Sequence, residues 1–263
     1  MRLLAVIPAR LGAIRLPRKP LRLLGGRPLV VRVWEHVVRL GVADRCVVAT
    51  DHADVAAAVR GAGGEAVVTR DDHPSGTDRI AEVARLPEFA AFDAVVNIQG
   101  DEPFASAEVV HAASALVVGG RFPVGTVACP APADVLASPD VVKVVTTDEG
   151  QALYFSRAPV PFLREGGDVG DRARRDALVR RHLGIYAYTR DALARWVAAP
   201  PHPLEQVERL EQLRPLAAGT PIGVAVVRAA PPPGIDTEHD LADANARWAA
   251  WEAALPPAAQ PRA

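Results

Sequence analysis

Short apolar runs alternate with segments of helical periodicity through about the first 110 residues of the chain. The runs are continuous in hydrophobicity instead of alternating with polar residues, which is typical of strands covered on both faces. Repeated strand–helix units predict an α/β fold with a doubly wound, mainly parallel sheet of the Rossmann-like kind. The strand candidates of the whole chain are Leu3–Pro8, Cys46–Thr50, Ala66–Thr69, Ala94–Gln99, Gly125–Cys129, Val141–Val145, Leu183–Tyr188 and Ile222–Val227.

Apolar residues recur at helical spacing in the segments that separate or follow these runs. Leu29, Val33 and Val37 form one such stripe, and the last segment opens with Thr237 at an N-cap and Asp240 in the first turn. The helix candidates are Pro28–Leu40, Asp54–Arg60, Thr77–Leu86, Pro203–Leu216 and Thr237–Leu255.

The middle of the chain is richer in strands and contains a charged, glycine-bearing segment, REGGDVGDRARRD, which predicts an exposed loop. We therefore expect an α/β core over 1–121 and a smaller strand-rich lobe over 122–188 that covers a cleft or packs against a second copy. The chain is expected to return to the core with C-terminal helices over 189–255. Residues 256–263 are expected to be a disordered tail.

Composition argues against several classes of protein. The formal net charge is -1, so there is no global attraction to nucleic acid or acidic membranes. No apolar run approaches the ~20 residues of a membrane span, and the N-terminus does not resemble a secretory signal. Cys46 and Cys129 are distant and read as small core residues in a reducing compartment. We expect a cytoplasmic protein without a nucleic-acid or membrane partner.

The first strand candidate runs into a cationic loop, in the sequence AVIPARLGAIRLPRKPL. Arg10, Arg15 and Lys19 follow the carboxyl end of a strand, where open α/β sheets bind ligands, and their charges suit a polyphosphate. Pro17 and Pro20 stiffen the loop. The alternative is a solvated basic surface loop. The glycine spacing matches neither a Walker A loop nor a dinucleotide-binding fingerprint.

Two carboxylates are candidates for a metal site. Asp101 follows the strand candidate Ala94–Gln99, and Asp236 immediately precedes the last helix candidate. One or two carboxylates plus phosphate oxygens commonly hold Mg²⁺, and such a site supports nucleotidyl transfer. Each also has a structural alternative, since Asp101 fits a turn and Asp236 fits a helix cap.

Motifs spread along nearly the whole chain resemble those of the 3-deoxy-manno-octulosonate cytidylyltransferase (CMP-Kdo synthetase) family. They include IPAR, RLPRKPL, DHPSGTDRIAEV, VNIQGDEP, ALYFSRAPVP, RHLGIYAY and GIDTEHDL. The resemblance implies an α/β nucleotidyltransferase that works as a homodimer. It also implies that CTP and Kdo are converted with Mg²⁺ into CMP-Kdo and pyrophosphate, for lipopolysaccharide biosynthesis.

The same resemblance assigns roles by position. Catalytic roles fall on Lys19, Asp101 and Asp236, of which Asp101 and Asp236 bind the metal. The positions around CTP are Arg10, Arg15, Lys19, Ser75, Gly76, Thr77, Arg79 and Gln99. The positions around the sugar acid are Gln99, Arg157, His182, Tyr186, Glu211 and Gln212. Taken singly, residues such as His182 and Tyr186 are better explained by packing, and the sugar-binding interpretation rests on their occurring together, in order, within larger matching motifs.

One departure from the family pattern lies in the cationic loop. Ala13 and Ile14 stand where the family commonly carries hydroxyl residues, so two side-chain phosphate donors are missing. Activation of 8-amino-Kdo or sialic acid and a non-catalytic nucleotide-binding role are the alternatives. A nicotinamide-dependent dehydrogenase is disfavoured by the missing glycine fingerprint.

Overall fold

The computed structural model describes residues 1–13, 15–164 and 167–255. The chain divides into two units: one is formed by Met1–Val110 together with the segment that begins at Pro231, and the other is His111–Ala230. No helix among the described residues is both long and apolar enough to cross a membrane.

The strands follow the continuous apolar runs closely. They are β1 (Leu3–Ala9), β2 (Leu23–Leu24), β3 (Arg27–Pro28), β4 (Arg45–Thr50), β5 (Glu65–Val68), β6 (Ala94–Asn97), β7 (Val124–Pro130), β8 (Lys143–Thr146), β9 (Ala152–Ser156), β10 (Arg180–Thr189) and β11 (Ile222–Val226). The short strands β2, β3 and β9 were not predicted from the sequence.

The helices are α1 (Leu29–Leu40), α2 (Ala53–Gly61), α3 (Gly76–Arg85), α4 (Ala107–Val118), α5 (Val169–Leu178), α6 (Arg190–Ala198), α7 (Pro203–Glu208), α8 (Leu213–Ala217) and α9 (Glu238–Ala253). Thr237 is the N-cap of α9 and Asp240 lies in its first turn, as predicted. The prediction missed α4 and α6.

The first unit contains a parallel sheet in the order β6-β1-β4-β5, in which Val6 of β1 pairs with Val47 on one side and Asn97 on the other. The central strands β1 and β6 are buried along their whole length, whereas the edge strand β5 is only partly buried. The chain winds outward from β1 through β4 to β5 and then continues at β6, on the opposite side of β1. The strand order therefore reverses between β1 and β6, and open α/β sheets bind ligands at such a switch point.

A small hairpin, β2–β3, follows the cationic loop and packs against α9. Asn245 of α9 accepts a hydrogen bond from the Gly25 N–H at 2.9 Å and donates one to the Leu23 carbonyl at 3.0 Å. Trp248 lies so close to Gly25 that a Cβ there would come within 2.2 Å of its ring, and Gly25 has a φ of +55°. Glycine is therefore required at this turn.

The second unit contains β11, β7, β10, β8 and β9; β11 and β7 pair in parallel, whereas β10 pairs antiparallel with β7 and β8, and β8 antiparallel with β9. The fold class is confirmed: parallel strands connected by helices, with a more antiparallel segment in the middle of the chain, form a mixed α/β fold. The unit bounds differ from the predicted segments. Residues 189–230 stay with the second unit because β11 pairs with β7 and α6 packs on β10.

Two local predictions are wrong. The segment predicted as an exposed loop contains α5, whose N-cap Asp168 accepts a hydrogen bond from the Asp171 N–H at 2.8 Å while Asp171 accepts one in return. The helix predicted over Pro203–Leu216 is broken at Arg209, which has a φ of 52°. Glu165 and Gly166 of the charged segment, and the tail over 256–263, lie outside the described residues.

Candidate active site

Lys19, Asp101 and Asp236 come together in the first unit, although they are distant in sequence. The Lys19 Nζ lies 2.6 Å from Asp101 Oδ2 and 2.9 Å from Asp236 Oδ1. Arg15 completes the group, with an Nη2 to Asp236 Oδ2 distance of 2.9 Å. Two cations from the cationic loop thus face two carboxylates.

The Lys19 side chain is only 16% exposed, whereas that of Arg15 is 67% exposed. Burial lowers the pKa of Lys19, but Asp101 and Asp236 outweigh that effect and raise it above its ordinary value. Lys19 is therefore a permanent cation at neutral pH.

The loop that carries Lys19 is anchored at both ends. Leu11 donates its backbone N–H to Asp51 Oδ1 at 3.0 Å, directly after β1. Leu16 is fully buried, and Arg18 adopts a left-handed conformation before a 3₁₀ turn over Lys19–Leu21. Lys19 is thus presented from a fixed backbone. Ile14 lies outside the described residues.

Two glycines let the carboxylate segments approach their neighbours. Gly100 follows β6, and a Cβ there would lie 2.7 Å from the Pro8 carbonyl of β1. Gly234 packs against the turn that holds Asp101, where an added Cβ would lie 3.0 Å from the Asp101 carbonyl. Ile235 donates its N–H to that same carbonyl at 2.9 Å. This backbone contact sets Asp236 beside Asp101.

The helix-cap alternative for Asp236 does not describe its side chain. Thr237 caps α9 by accepting the Asp240 N–H at 3.2 Å, and Asp240 accepts the N–H groups of Asp236 and Thr237. The Asp236 carboxylate is left to pair with Lys19 and Arg15.

The carboxylates fit a divalent cation by their donor chemistry. Because Asp101 Oδ2 and Asp236 Oδ1 both contact Lys19 Nζ, they are no further apart than those two lengths combined. Two oxygens on one Mg²⁺ are at most about 4.2 Å apart, which small side-chain rotations can reach. The described residues contain no cluster of three or more His, Cys, Asp or Glu suited to a metal. A two-carboxylate site completed by phosphate oxygens is the usual Mg²⁺ arrangement.

The segment from Ser75 to Arg79 forms the start of α3. Ser75 is the N-cap, accepting the Asp78 N–H at 3.3 Å, and Gly76 begins the helix against Pro8 of β1. Arg79 is buried and its guanidinium contacts Asp51 at 3.3 Å and the Arg70 carbonyl at 3.1 Å. Arg79 therefore supports the loop through Asp51.

The remaining nucleotide candidates of this unit differ in exposure. Arg10 is exposed at the end of β1, whereas Thr77 is buried in α3. Gln99 is half-buried and donates to Asn97 Oδ1 at 3.1 Å, and its carbonyl closes the turn to Glu102.

The sequence reasoning overlooked Asp51, which bonds both Leu11 and Arg79. The available signal was the same one that identified Asp101: a carboxylate directly after a buried strand, here β4.

His182 and Tyr186 lie in the second unit, on either side of a register shift in β10. Thr126 of β7 donates its hydroxyl to the Ile185 carbonyl at 2.7 Å, so towards His182 Nε2, at 2.9 Å, it must accept. The imidazole proton therefore sits on Nε2, and Nδ1 is an acceptor. Burial lowers the pKa of His182 to about 3, so the ring is neutral. Burial, with Tyr188 and Glu211, raises the pKa of Tyr186 well above its ordinary value.

Glu211 and Gln212 lie in the break between α7 and α8. Arg157 holds this region by donating from Nε to the Glu208 carbonyl at 2.8 Å and from Nη1 to the Pro139 carbonyl at 2.8 Å. Its Nη2 makes only a 3.5 Å contact with the Arg209 carbonyl. The Glu208 carboxylate accepts the Arg157 N–H at 2.8 Å. Glu208 was not singled out from the sequence, and no pattern there marks it.

Comparison with known proteins identifies the family. The model of a family described as cytidylyltransferase matches residues 4–222. A 3-deoxy-manno-octulosonate cytidylyltransferase of Gemmatimonas aurantiaca is 61% identical over 248 residues, covering 94% of this chain and 95% of that protein. The chain belongs to the 3-deoxy-manno-octulosonate cytidylyltransferase family.

Further comparisons agree with this family membership. An enzyme of the same name from Yersinia pseudotuberculosis serotype O:1b is 45% identical over 242 residues, covering 92% of this chain and 96% of that protein. A solved CMP:2-keto-3-deoxy-manno-octonic acid synthetase complexed with CTP superimposes with a TM-score of 0.86 at 38% identity. That match covers 95% of this chain and 100% of the synthetase.

A more distant structure shows how widely the fold is used. The 4-diphosphocytidyl-2C-methyl-D-erythritol synthase of Anaerococcus prevotii superimposes with a TM-score of 0.61 at 15% identity, covering 94% of this chain and 98% of that protein. At that identity the likeness concerns the fold alone. The substrate of this cytidylyltransferase family member must therefore be argued from its close relatives and its own residues.

Proposed function

We propose that this chain is a nucleotidyltransferase that activates 3-deoxy-manno-octulosonate with CTP, giving CMP-Kdo and pyrophosphate for lipopolysaccharide biosynthesis. The observation that carries the proposal is Lys19 of the cationic loop held between Asp101, in the turn after β6, and Asp236, just before α9. The 61% identical relative of the same name and the CTP-bound synthetase support the choice of substrates.

The cationic loop provides the charge that a triphosphate needs. Arg10 and Arg15 are exposed cations, and Lys19 is a largely buried one beside them. Arginine forks suit phosphate oxygens and lysine acts as a point charge. Arg15 and Lys19 pair with the carboxylates of Asp101 and Asp236 in the structure. When CTP binds, its β- and γ-phosphates are proposed to replace these carboxylates as partners of the two cations.

Asp101 and Asp236 are proposed to hold Mg²⁺. When bound, the ion lowers the pKa of the attacking hydroxyl and offsets charge at the α-phosphate. Ser75 and Gly76, at the start of α3, are proposed to contact the nucleotide, with Arg79 and Gln99 supporting the surrounding backbone.

The reaction forms one bond to the α-phosphorus, breaks another bond to it, and releases the hydroxyl proton. The oxygen of the anomeric 2-hydroxyl of Kdo bonds to the α-phosphorus, and the hydroxyl proton passes to solvent. The bond from the α-phosphorus to the bridging oxygen breaks, and pyrophosphate leaves with the electron pair. Most of the rate enhancement in such phosphoryl chemistry comes from positioning and charge stabilisation. The cations Arg15 and Lys19 are proposed to supply both.

Apart from Gln99, which belongs to the first unit, the residues proposed to bind the sugar acid lie in the second unit. His182 presents a neutral Nδ1 acceptor, suited to a sugar hydroxyl. Tyr186, Glu211 and Gln212 are proposed to bind further hydroxyls. Arg157 is proposed to meet the sugar carboxylate through Nη2, because Nε and Nη1 are already occupied by backbone carbonyls.

Pyrophosphate release from CTP, measured in parallel with Kdo, 8-amino-Kdo and sialic acid, tests the proposal. We expect Kdo to give the highest kcat/KM. We expect Asp101→Asn to lose nearly all turnover while CTP binding persists, and the control Asp148→Asn, at an exposed turn position, to retain it. Preference for another sugar acid, or CTP binding without turnover for any of the three, would replace this proposal with one of its alternatives.

We further propose a homodimer in the cytoplasm. Cys46 and Cys129 are both free thiols, as is usual in a reducing compartment. Light scattering coupled to size exclusion measures the mass in solution, and subcellular fractionation measures the location.

A further inference from the structure

A second ion pair lies beside the Lys19–Asp236 contact. Arg22 Nη1 and Nη2 bind Glu238 Oε1 and Oε2 at 2.5 and 2.8 Å, which makes the pair bidentate. The two residues are 216 positions apart in sequence. They therefore join the end of the cationic loop to the first turn of α9.

The backbone explains why the two pairs lie side by side. Lys19 begins a short 3₁₀ turn over Lys19–Leu21, and Arg22 follows it as the cap, with extended backbone (φ -66°, ψ 144°). The Arg22 N–H donates to the Lys19 carbonyl at 3.1 Å, which holds the two residues close together. Asp236 and Glu238 are two residues apart around Thr237, which is extended with φ -128° and ψ 169°. Residues i and i+2 of an extended segment share a face. Lys19–Asp236 and Arg22–Glu238 are thus two neighbouring ion pairs that join the end of the cationic loop to the start of α9.

We propose that Arg22 and Glu238 are positioning residues that fix the distance between Lys19 and Asp236. The pair is exposed, with side-chain exposures of 35% for Arg22 and 63% for Glu238. Exposed ion pairs contribute little to global stability. A bidentate fork does restrict orientation, and a sub-ångström shift of a catalytic group changes rate strongly.

The β2–β3 hairpin, which directly follows Arg22, offers a matched control. Arg27 also forms an exposed ion pair, with Glu35, but that contact joins the hairpin to α1 instead of α9. Removing either arginine deletes one exposed pair. Only Arg22 connects to the segment that carries Asp236.

The experiment rests on the proposed function for its kinetic part and uses Arg22→Met, Glu238→Gln, the exchange variant R22E/E238R and the control Arg27→Met. We expect each single variant to lose about three- to tenfold in kcat/KM, with kcat falling more than the KM for CTP rises. The exchange variant should recover most of the loss, and Arg27→Met should match wild type. Melting temperatures should stay within about 2 °C.

Hydrogen–deuterium exchange separates failure of the inference from failure of the proposed function. Without substrates, Arg22→Met and Glu238→Gln should speed exchange at the amides of Leu21, Arg22 and Ile235, and the exchange variant should restore protection. If the two single variants exchange faster but the wild-type protein shows no turnover with any of the sugar acids, the positioning role is supported and the proposed function is refuted. Unchanged exchange together with wild-type kinetics in the single variants, or no recovery in the exchange variant, would overturn the inference.

Discussion

Gly234→Ala is the smallest change expected to disturb the candidate active site. The added Cβ would lie 2.9 Å from Glu102 Oε1 and 3.0 Å from the Asp101 carbonyl oxygen. The Glu102 side chain can rotate away, but the Asp101 carbonyl belongs to the backbone and already accepts the Ile235 N–H. The strain must therefore be relieved by movement of the segment that carries Asp236.

The size of the movement follows from ordinary contact distances. Non-bonded heavy atoms prefer about 3.5 Å, so the segment has to retreat by roughly 0.5 Å. A misplacement of about 1 Å near reacting groups costs about 100-fold in rate, so we expect about a tenfold loss of kcat/KM. Alanine stabilises by about 0.4–1 kcal/mol through the unfolded chain, which offsets a weakened hydrogen bond of about 1 kcal/mol. Stability should therefore change little.

Pyrophosphate release with CTP and Kdo measures the effect, alongside calorimetric melting. Gly61→Ala is the control, because Gly61 lies at the end of α2, lacks a positive φ, and has open space where the Cβ would be. Wild-type kcat/KM in Gly234→Ala would refute the argument that this close backbone approach sets the carboxylate pair.

Three further predictions concern single residues. Lys19→Met should raise the KM for CTP several-fold or more, because a largely buried cation is lost; unchanged steady-state kinetics would contradict its role. Arg209→Gly should raise the free energy of unfolding by up to about 1 kcal/mol in denaturant titration, because φ is 52° there; a lower value would show that the Arg209 side chain matters more. The folded-state pKa of His182 is about 3, below the unfolded value near 6.5, so its contribution to stability is complete above pH 6.5. That contribution should fall by up to about 1.4 kcal/mol per unit as pH drops towards 3, and His182→Gln should show a flatter pH dependence of unfolding; an identical slope would be the contrary result.

Local sequence pattern was sufficient to predict the strands other than β2, β3 and β9, and one half of the site. Burial on both faces forces a strand such as β1 to be apolar throughout, so the sequence marks it directly. The position of Asp101 follows from the same rule, because a carboxylate after β6 must lie at the carboxyl edge of the sheet.

The spacing of apolar residues gave a wrong prediction where tertiary contacts determine the backbone conformation. Leu204, Val207 and Leu210 continue a helical stripe, yet Val207 is 83% exposed and the helix ends at Glu208. At this helix end the backbone carbonyls of Glu208 and Arg209 accept hydrogen bonds from the side chain of Arg157, which is distant in sequence. Conversely, the cap of α5 was readable in the sequence, because Asp168 and Asp171 have capping-box spacing.

The arrangement of Asp236 illustrates what sequence cannot supply. Because it is next to Thr237, Asp236 fits a helix cap in the sequence. The hydrogen bond from the Ile235 N–H to the Asp101 carbonyl, and the close approach of Gly234 to that carbonyl, show that Asp236 instead lies beside Asp101. Those contacts join segments more than 130 positions apart, and no periodicity reports them.

The cluster of Arg15, Lys19, Asp101 and Asp236 balances two positive charges against two negative ones. Lys19 belongs to two of the three contacts, so removing it leaves Asp101 without this cation and Asp236 with Arg15 alone, and removing one carboxylate leaves Lys19 with a single partner. Breaking one member of a partly buried ion pair costs the lost contact and also the isolated charge. Single substitutions in this cluster therefore overstate each residue's own share, and their effects cannot add. The exposed Arg22–Glu238 pair lies outside this balance, which is why it can report on positioning without stranding a buried charge.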